Sequence, residues 1–187
     1  PKGVCYDHRG LLHRIFTTIH SSELRPGDRQ ALHLKCDTSW SVTIIFSALL
    51  AGATLYPIDV AAMGVSGMAE WVARESITHF PMTCSLFRQW ADALPAADEG
   101  RYPSLRFLNV AAEPLLRRDV EQFKRHFPVQ CVLFHSLATS ESGRIACSKI
   151  VRTTPLPDER VAAGYPDFDK EILIVGEDGR WAAPGES

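Results

Sequence analysis

Two stretches of the chain carry side chains that could do chemistry at close spacing. The first is Ala111-Ala112-Glu113-Pro114; the second is His135-Ser136-Leu137-Ala138-Thr139-Ser140-Glu141-Ser142-Gly143. Small residues let a backbone approach a ligand closely. Hydroxyls can bond phosphate oxygens, and a carboxylate can hold a Mg²⁺ ion that bridges phosphates. Chemistry of that kind handles a nucleotide, although the same residue types also build ordinary turns and caps. Other reactions lack their signatures. The seven histidines (His8, His13, His20, His33, His79, His126 and His135) could serve a hydrolase as bases. No G-x-S-x-G elbow accompanies them, and Gly64-Val65-Ser66-Gly67 has the wrong spacing. Neither the G-x-G-x-x-G fingerprint of dinucleotide enzymes nor an H-E-x-x-H zinc motif occurs. Cys5, Cys36, Cys84, Cys131 and Cys147 form no C-x-x-C pair, so they read as free thiols and not as a disulfide or zinc framework.

Both stretches follow predicted strands, which is where open parallel sheets bind ligands. Asp7 can cap a helix in which Leu11, Leu12, Ile15, Phe16 and Ile19 recur at helical spacing, leaving Arg14 and Thr18 toward solvent. Arg25-Pro26-Gly27-Asp28 breaks it. Short strands are expected at Ala31 to Leu34, Thr54 to Ile58, Ile77 to Phe80, Leu105 to Val110 and Val129 to Phe134. Helices are expected between them: Ser41 to Ala51, then around Met68, Trp71 and Val72, around Leu86, Trp90 and Leu94, and around Leu116, Val120 and Phe123. Repeated strand–helix units predict an α/β fold with a mostly parallel sheet flanked by helices over residues 1–150. The texture then changes. Thr153 to Asp158 is Pro-rich, Glu171 to Val175 is a β run, and Glu177-Asp178-Gly179 is a hairpin turn signal, so residues 151–187 read as a linker and the start of a small β-rich subdomain.

The 187 residues carry 20 Lys+Arg against 22 Asp+Glu, a formal charge of -2 that gives no reason to expect nucleic acid or an anionic membrane. No apolar run reaches the length of a membrane span and no signal peptide opens the chain, so a cytoplasmic location is expected. The sequence opens on Pro1-Lys2-Gly3-Val4 and closes on Pro184-Gly185-Glu186-Ser187, in mid-pattern at both ends, which reads as an internal segment of a longer protein.

The order of motifs resembles the adenylate-forming superfamily of acyl-CoA synthetases, luciferases and adenylation domains of nonribosomal peptide synthetases, the last being the nearest in flavour. Pro1-Lys2-Gly3-Val4, followed by Asp7-His8-Arg9-Gly10-Leu11-Leu12, is similar to the end of the family's phosphate loop and the helix after it. Phe46-Ser47-Ala48-Leu49-Leu50-Ala51-Gly52-Ala53-Thr54-Leu55 is similar to F-x-x-L-L-x-G-A-x-L. Ala111-Ala112-Glu113-Pro114-Leu115 falls at the G-G-E-x-L loop and Leu137-Ala138-Thr139-Ser140-Glu141 at Y-G-x-T-E. Ala163-Gly164-Tyr165-Pro166, Val175-Gly176-Glu177-Asp178-Gly179-Arg180 and Pro184-Gly185-Glu186 complete the succession.

That resemblance implies a lobe of the N-terminal domain of an adenylating enzyme, with ATP and Mg²⁺ as cofactors. It implies that a carboxylate attacks the α-phosphorus, pyrophosphate leaves, and the acyl-adenylate passes to the thiol of a carrier-protein phosphopantetheine or of coenzyme A. By position, Glu141 would ligate the metal and Ser140 would donate to the α-phosphate. Lys2 and Thr139 would lie near the phosphates, and Ala112, Glu113, Pro114 and Leu137 would border the adenine. Ser39, Trp40, Thr43, Asn109, Ala111, Ser136, Arg144 and Ile145 would wall the acid pocket. Three departures bear on function. Leu137 replaces the stacking aromatic, alanines replace both glycines of G-G-E, and Ser39 stands where amino-acid-activating domains carry an ammonium-pairing Asp, with Asp37 two residues earlier. The expected substrate is therefore a carboxylic acid without an α-ammonium group, because a buried ammonium beside a neutral Ser would lack its counter-charge. With the body of the phosphate loop and the lysine-bearing lid expected outside these residues, little adenylation is expected from the segment alone. The alternative is a degenerate, non-catalytic module serving as a structural or interaction part of a larger synthetase.

Overall fold

The computed structural model describes residues 3–95 and 100–182. Helix α1 (His8–Ser22) begins where the Asp7 carboxylate accepts from the Gly10 amide at 2.6 Å, and ends at Glu23 in the left-handed conformation. Strand β1 (Arg29–Leu32) leads through a Thr38 cap, which exchanges hydrogen bonds with Ser41, into α2 (Ser39–Ala51). There follow β2 (Thr54–Pro57), α3 (Val60–Arg74, interrupted at Gly64), β3 (His79–Thr83), α4 (Cys84–Ala93), β4 (Phe107–Ala111), α5 (Arg117–His126), β5 (Val132–Thr139), β6 (Gly143–Ile150) and β7 (Tyr165–Pro166).

These strands form one sheet in the order β2-β1-β3-β4-β5-β6-β7. Strands β1 to β5 pair in parallel, whereas β6 and β7 are antiparallel additions. The 2-1-3-4-5 core is a doubly wound order. Right-handed crossovers carry α2 to one face, beside α1, and α3, α4 and α5 to the other. The larger apolar core lies under α3–α5. There Phe80, Met82, Leu108, Val110 and Leu133 meet Met68, Val72, Phe87, Trp90, Val120 and Phe127. Trp90 donates its indole N–H to the Tyr102 hydroxyl at 3.0 Å and stands edge-on to Phe127. The face toward α1 and α2 carries the alternate residues of the same strands and is far more polar.

The expected α/β layering and mostly parallel sheet are present, with one element that the sequence did not suggest. Residues 135–139, expected as loop, continue β5. The chain turns at 140–142 and returns as β6, with a bulge between Leu137 and Ala138. Small and hydroxylated residues read as a turn, but the neighbouring strand supplies hydrogen-bond partners that override that local preference. Past residue 150 the chain runs back over the lobe: Arg117 N donates to Glu159 O, Val161 N donates to Leu115 O, and β7 joins β6. Around the expected turn at 177–179, Val175 faces Trp181 and Gly176 N donates to Arg180 O at 2.8 Å. The run Glu171–Val175 forms no ladder among the described residues beyond that bridge. Among the described residues no helix is long and apolar enough to cross a membrane.

Burial holds the imidazoles of His33, His79 and His135 below their ordinary value of 6.5, so the fold prefers them neutral. Their contribution to stability is complete above the unfolded value and is lost as pH falls through it, because the unfolded chain then binds more protons. The urea midpoint should drop between about pH 7.5 and pH 5.5. The His79→Gln variant should show a shallower fall over that range; an identical slope would remove His79 from this account.

Candidate active site

Alternation along the strands sets the floor of the site. Register pairs Pro81 with Asn109, Asn109 with Phe134, and Ala111 with Ser136, placing these side chains on one face of the sheet. Above them, Arg14, Thr18 and Ser22 repeat every four residues along α1, and Ser39, Trp40, Thr43 and Ile44 come from the first turns of α2. Between these layers lies a cleft of about 200 Å³, closed at one side by Ala138, Thr139, Ser140, Gly143 and Arg144 of the β5–β6 hairpin. Phe107 in the lining has its ring centroid 5.2 Å from that of Phe134, and the Arg144 guanidinium, also in the lining, sits 5.0 Å over the Phe134 ring. The lining is also hydroxylated. Ser39 Oγ and Ser140 Oγ, 101 residues apart, are 3.1 Å from each other, and Ser136 Oγ donates to Asn109 Oδ1 at 3.2 Å.

Of the residues singled out from sequence, this cleft brings together Ser39, Trp40, Thr43, Asn109, Ala111, Ala112, Ser136, Thr139, Ser140 and Arg144. The others lie elsewhere. Glu141 lines an adjoining cavity of about 220 Å³ with Tyr6, His13, Asp167 and Lys170; Arg14 and Arg144 border both spaces. The Glu113 carboxylate is turned toward α4. There it accepts from Ser85 Oγ at 2.6 Å and from Arg88 Nη1 at 3.2 Å, while Arg88 also donates to Pro114 O and pairs with buried Asp119 at 2.8 Å. Leu137 is exposed, and Ile145 accepts through its carbonyl from Asp167 N at 2.9 Å. Lys2 lies outside the described residues.

Arg14 and Thr18 correct an expectation, since they face the cleft and not open solvent. Arg14 Nη2 donates to Tyr6 Oη at 2.6 Å and to Ser140 O at 3.0 Å. A charged residue on an amphipathic helix reads as solvent-facing; only the position of the hairpin reveals otherwise. Gly143 makes room for it. Its φ is +71°, and a Cβ there would lie 2.9 Å from Arg14 Nε. Ala138 and Gly143, within the stretch singled out from sequence, also line the cleft, and Pro81, Phe107, Gln30, Ser22 and Ile44 do so without having been singled out. Pro81 and Phe107 were discoverable in principle, because they share the strand face of Asn109.

The electrostatics favour anions. No Asp or Glu lines the cleft among the described residues, and Asp37 is exposed outside it. The charge of Arg144 is balanced by buried Asp167 at 2.9 Å, but Arg14 has no carboxylate within ion-pair distance among the described residues. No group of three or more His, Cys, Asp and Glu able to cage a metal occurs among the described residues. A single exposed carboxylate, Glu141, stands beside the hydroxyls of Ser140 and Ser142. That donor set fits Mg²⁺, which is held by one or two carboxylates and by the phosphates of its nucleotide. When bound, such an ion would neutralise phosphate charge.

Ala112, at the end of β4, has φ +73°, a conformation that costs an L-residue about 1 kcal/mol. Ala112→Gly should stabilise the protein by about 0.5–1 kcal/mol in urea unfolding, whereas Ala111→Gly, in regular strand, should destabilise it by a similar amount. Equal effects at both positions would contradict the local strain.

Comparison with known proteins agrees with this fold. The AMP-binding enzyme family matches residues 1–187. Surfactin synthase subunit 2 of Bacillus subtilis is 23% identical over 189 residues, covering 100% of this chain and 5% of that protein. The isonitrile lipopeptide synthase of Streptomyces coeruleorubidus is 24% identical over 189 residues, covering 95% and 13%. The chain thus spans a small fraction of the length of the curated relatives it matches. Among solved structures, the o-succinylbenzoate coenzyme A synthetase of Bacillus subtilis, in complex with ATP and magnesium, superposes with a TM-score of 0.81 at 17% identity, over 100% of this chain and 37% of that one. The adenylation domain AlmE of Vibrio cholerae, bound to glycyl-adenosine-5′-phosphate, gives 0.81 at 19% identity, over 98% and 34%. At that identity the likeness is one of fold. With the family matching from end to end and its fold in place, the chain belongs to the AMP-binding enzymes.

Proposed function

We propose that the protein carrying this chain is an ATP-dependent ligase that activates a carboxylic acid lacking an α-ammonium group. The observation that carries the reading is the cleft itself. It joins Ser39 and Trp40 of α2 to Asn109, Ser136 and Ser140 across the ends of β4 and β5, with arginine and, among the described residues, no carboxylate in its lining. An ammonium placed there would be desolvated without a counter-charge, whereas a carboxylate would meet Arg14 and hydroxyl donors.

In this reading Trp40, Thr43, Asn109, Ala111, Ser136 and Arg144 hold the acid, with Ile145 supporting the hairpin behind them. Ser140 and Thr139 donate to phosphate oxygens, and Lys2 lies near the same phosphates. Glu141 holds the Mg²⁺ that accompanies ATP. Ala112, Glu113, Pro114 and Leu137 border the adenine, with the Glu113 carboxylate and the Pro114 carbonyl braced by Arg88. The acid carboxylate forms a bond to the α-phosphorus as the bond to pyrophosphate breaks. The chain's part is to orient both reactants and to offset developing charge. The acyl group then passes to a thiol, of a carrier-protein phosphopantetheine or of coenzyme A. The same reading divides the chain into a lobe to residue 150 and, over 151–187, a linker and the opening of a β-rich subdomain. Its five thiols suit the cytoplasm.

ATP–pyrophosphate exchange by the full-length protein tests this directly. Aryl, hydroxy or keto acids should support exchange, standard amino acids should not, and Glu141→Ala should cut the rate about a hundredfold. Efficient turnover of an ordinary α-amino acid would overturn the substrate reading. Failure both to exchange and to bind MgATP would favour a structural module.

A further inference from the structure

The hairpin turn at 140–142 carries Ser140 and Glu141, yet it projects from the sheet and is exposed. Within the turn, Ser142 N donates to Thr139 Oγ1 at 3.1 Å, and the two hydroxyls of Thr139 and Ser142 are 2.8 Å apart. Those bonds close the loop but do not fix its direction. Its carbonyls are gripped from outside by two cations. Arg14 of α1 donates to Ser140 O at 3.0 Å. Lys170, from beyond β7, donates to Ser142 O at 2.6 Å and to Arg144 O.

Lys170 is aimed there by a folded support. Asp167, buried, pairs with Arg144 and donates its amide to Ile145 O; Lys170 N closes a turn on Asp167 O at 3.0 Å. Asp169 takes a positive φ of 60° within that turn and lies 3.9 Å from His13 of α1. Burial pushes the Lys170 amine below its usual range, with Asp167 opposing and Arg14 and Arg144 adding to the effect. A partly desolvated ammonium bonded to one carbonyl of the turn and one of the strand that leaves it is a directional restraint, since both acceptors must stay within reach of a single nitrogen.

We propose that Lys170 is a positioning residue that holds the 140–142 turn in register for nucleotide phosphates. The proposal rests on the adenylation reading for its catalytic consequence, but the restraint on the turn is independent of it. In this role Lys170 need touch no reactant. It acts through the backbone that presents Ser140 and Glu141, so its loss should weaken the engagement of MgATP and leave the acid pocket intact.

Lys170→Met and Lys170→Arg in the full-length protein provide the test. In Lys170→Met, amide hydrogen exchange over residues 140–144 should quicken about tenfold while the urea midpoint is unchanged. In pyrophosphate exchange the KM for MgATP should rise about five- to tenfold, with the KM for the acid within about twofold, and Lys170→Arg should recover most of both effects. Unchanged amide exchange in the turn would overturn the proposal, as would a lowered midpoint with an unaltered KM for MgATP. If the wild-type protein activates no acid, the adenylation reading is what fails, and the amide exchange still decides whether Lys170 holds the turn.

Discussion

The parallel register of β3, β4 and β5 sets Pro81 beside Asn109 and Ala111 beside Ser136, and everything in the cleft depends on that alignment. Side chains alternate across a strand, so Phe80, Met82, Leu108, Val110 and Leu133 necessarily point the other way, into the apolar core under α3–α5. Burial of that second set locks the first. A slip of one residue would put the core side chains into the cleft and the polar ones into the core, at a cost no small adjustment could recover. The site is therefore the obverse of the core, and its precision derives from the packing around Trp90 and Phe127.

Onto that rigid floor the molecule adds a movable-looking element and then restrains it. The β5–β6 hairpin carries the hydroxyls and the carboxylate, and cationic side chains from α1 and from the segment after β7 hold its carbonyls. Charge is distributed with the same economy. Asp167 neutralises Arg144, leaving Arg14 as the cation facing the cleft that no described carboxylate balances. A half-buried guanidinium in a low-dielectric cleft attracts an anion more strongly than an exposed one would. The polarity of the pocket thus follows from which arginine has a partner.

The alternation of strands and helices was legible because periodicity reports which face of an element is buried, and the burial is local to each segment. What escaped were features decided by distant residues. Ser136, Ala138 and Thr139 read as loop because nothing nearby announces that β6 will pair with them. Arg14 read as solvent-exposed because its partner, Ser140 O, lies 126 residues away along the chain. The family's motif order located most of the cleft residues, Ser39 and Ser140 among them. It could not indicate that Glu113 turns toward Ser85 and Arg88, a matter of rotamer and neighbouring helix. Glu171–Val175 has the composition of a strand, yet among the described residues it meets its neighbour only through the Val175–Trp181 bridge and the bond from Ala182 N to Ile174 O.

A crystal structure of the full-length protein with a non-hydrolysable acyl-adenylate analogue tests the central claim most directly. Its phosphate-mimicking group should lie within hydrogen-bond reach of Ser140, with the acyl group directed between Trp40, Asn109 and Ser136. An analogue bound away from this cleft, with Ser39 and Ser140 still paired to each other, would contradict the assignment of the site.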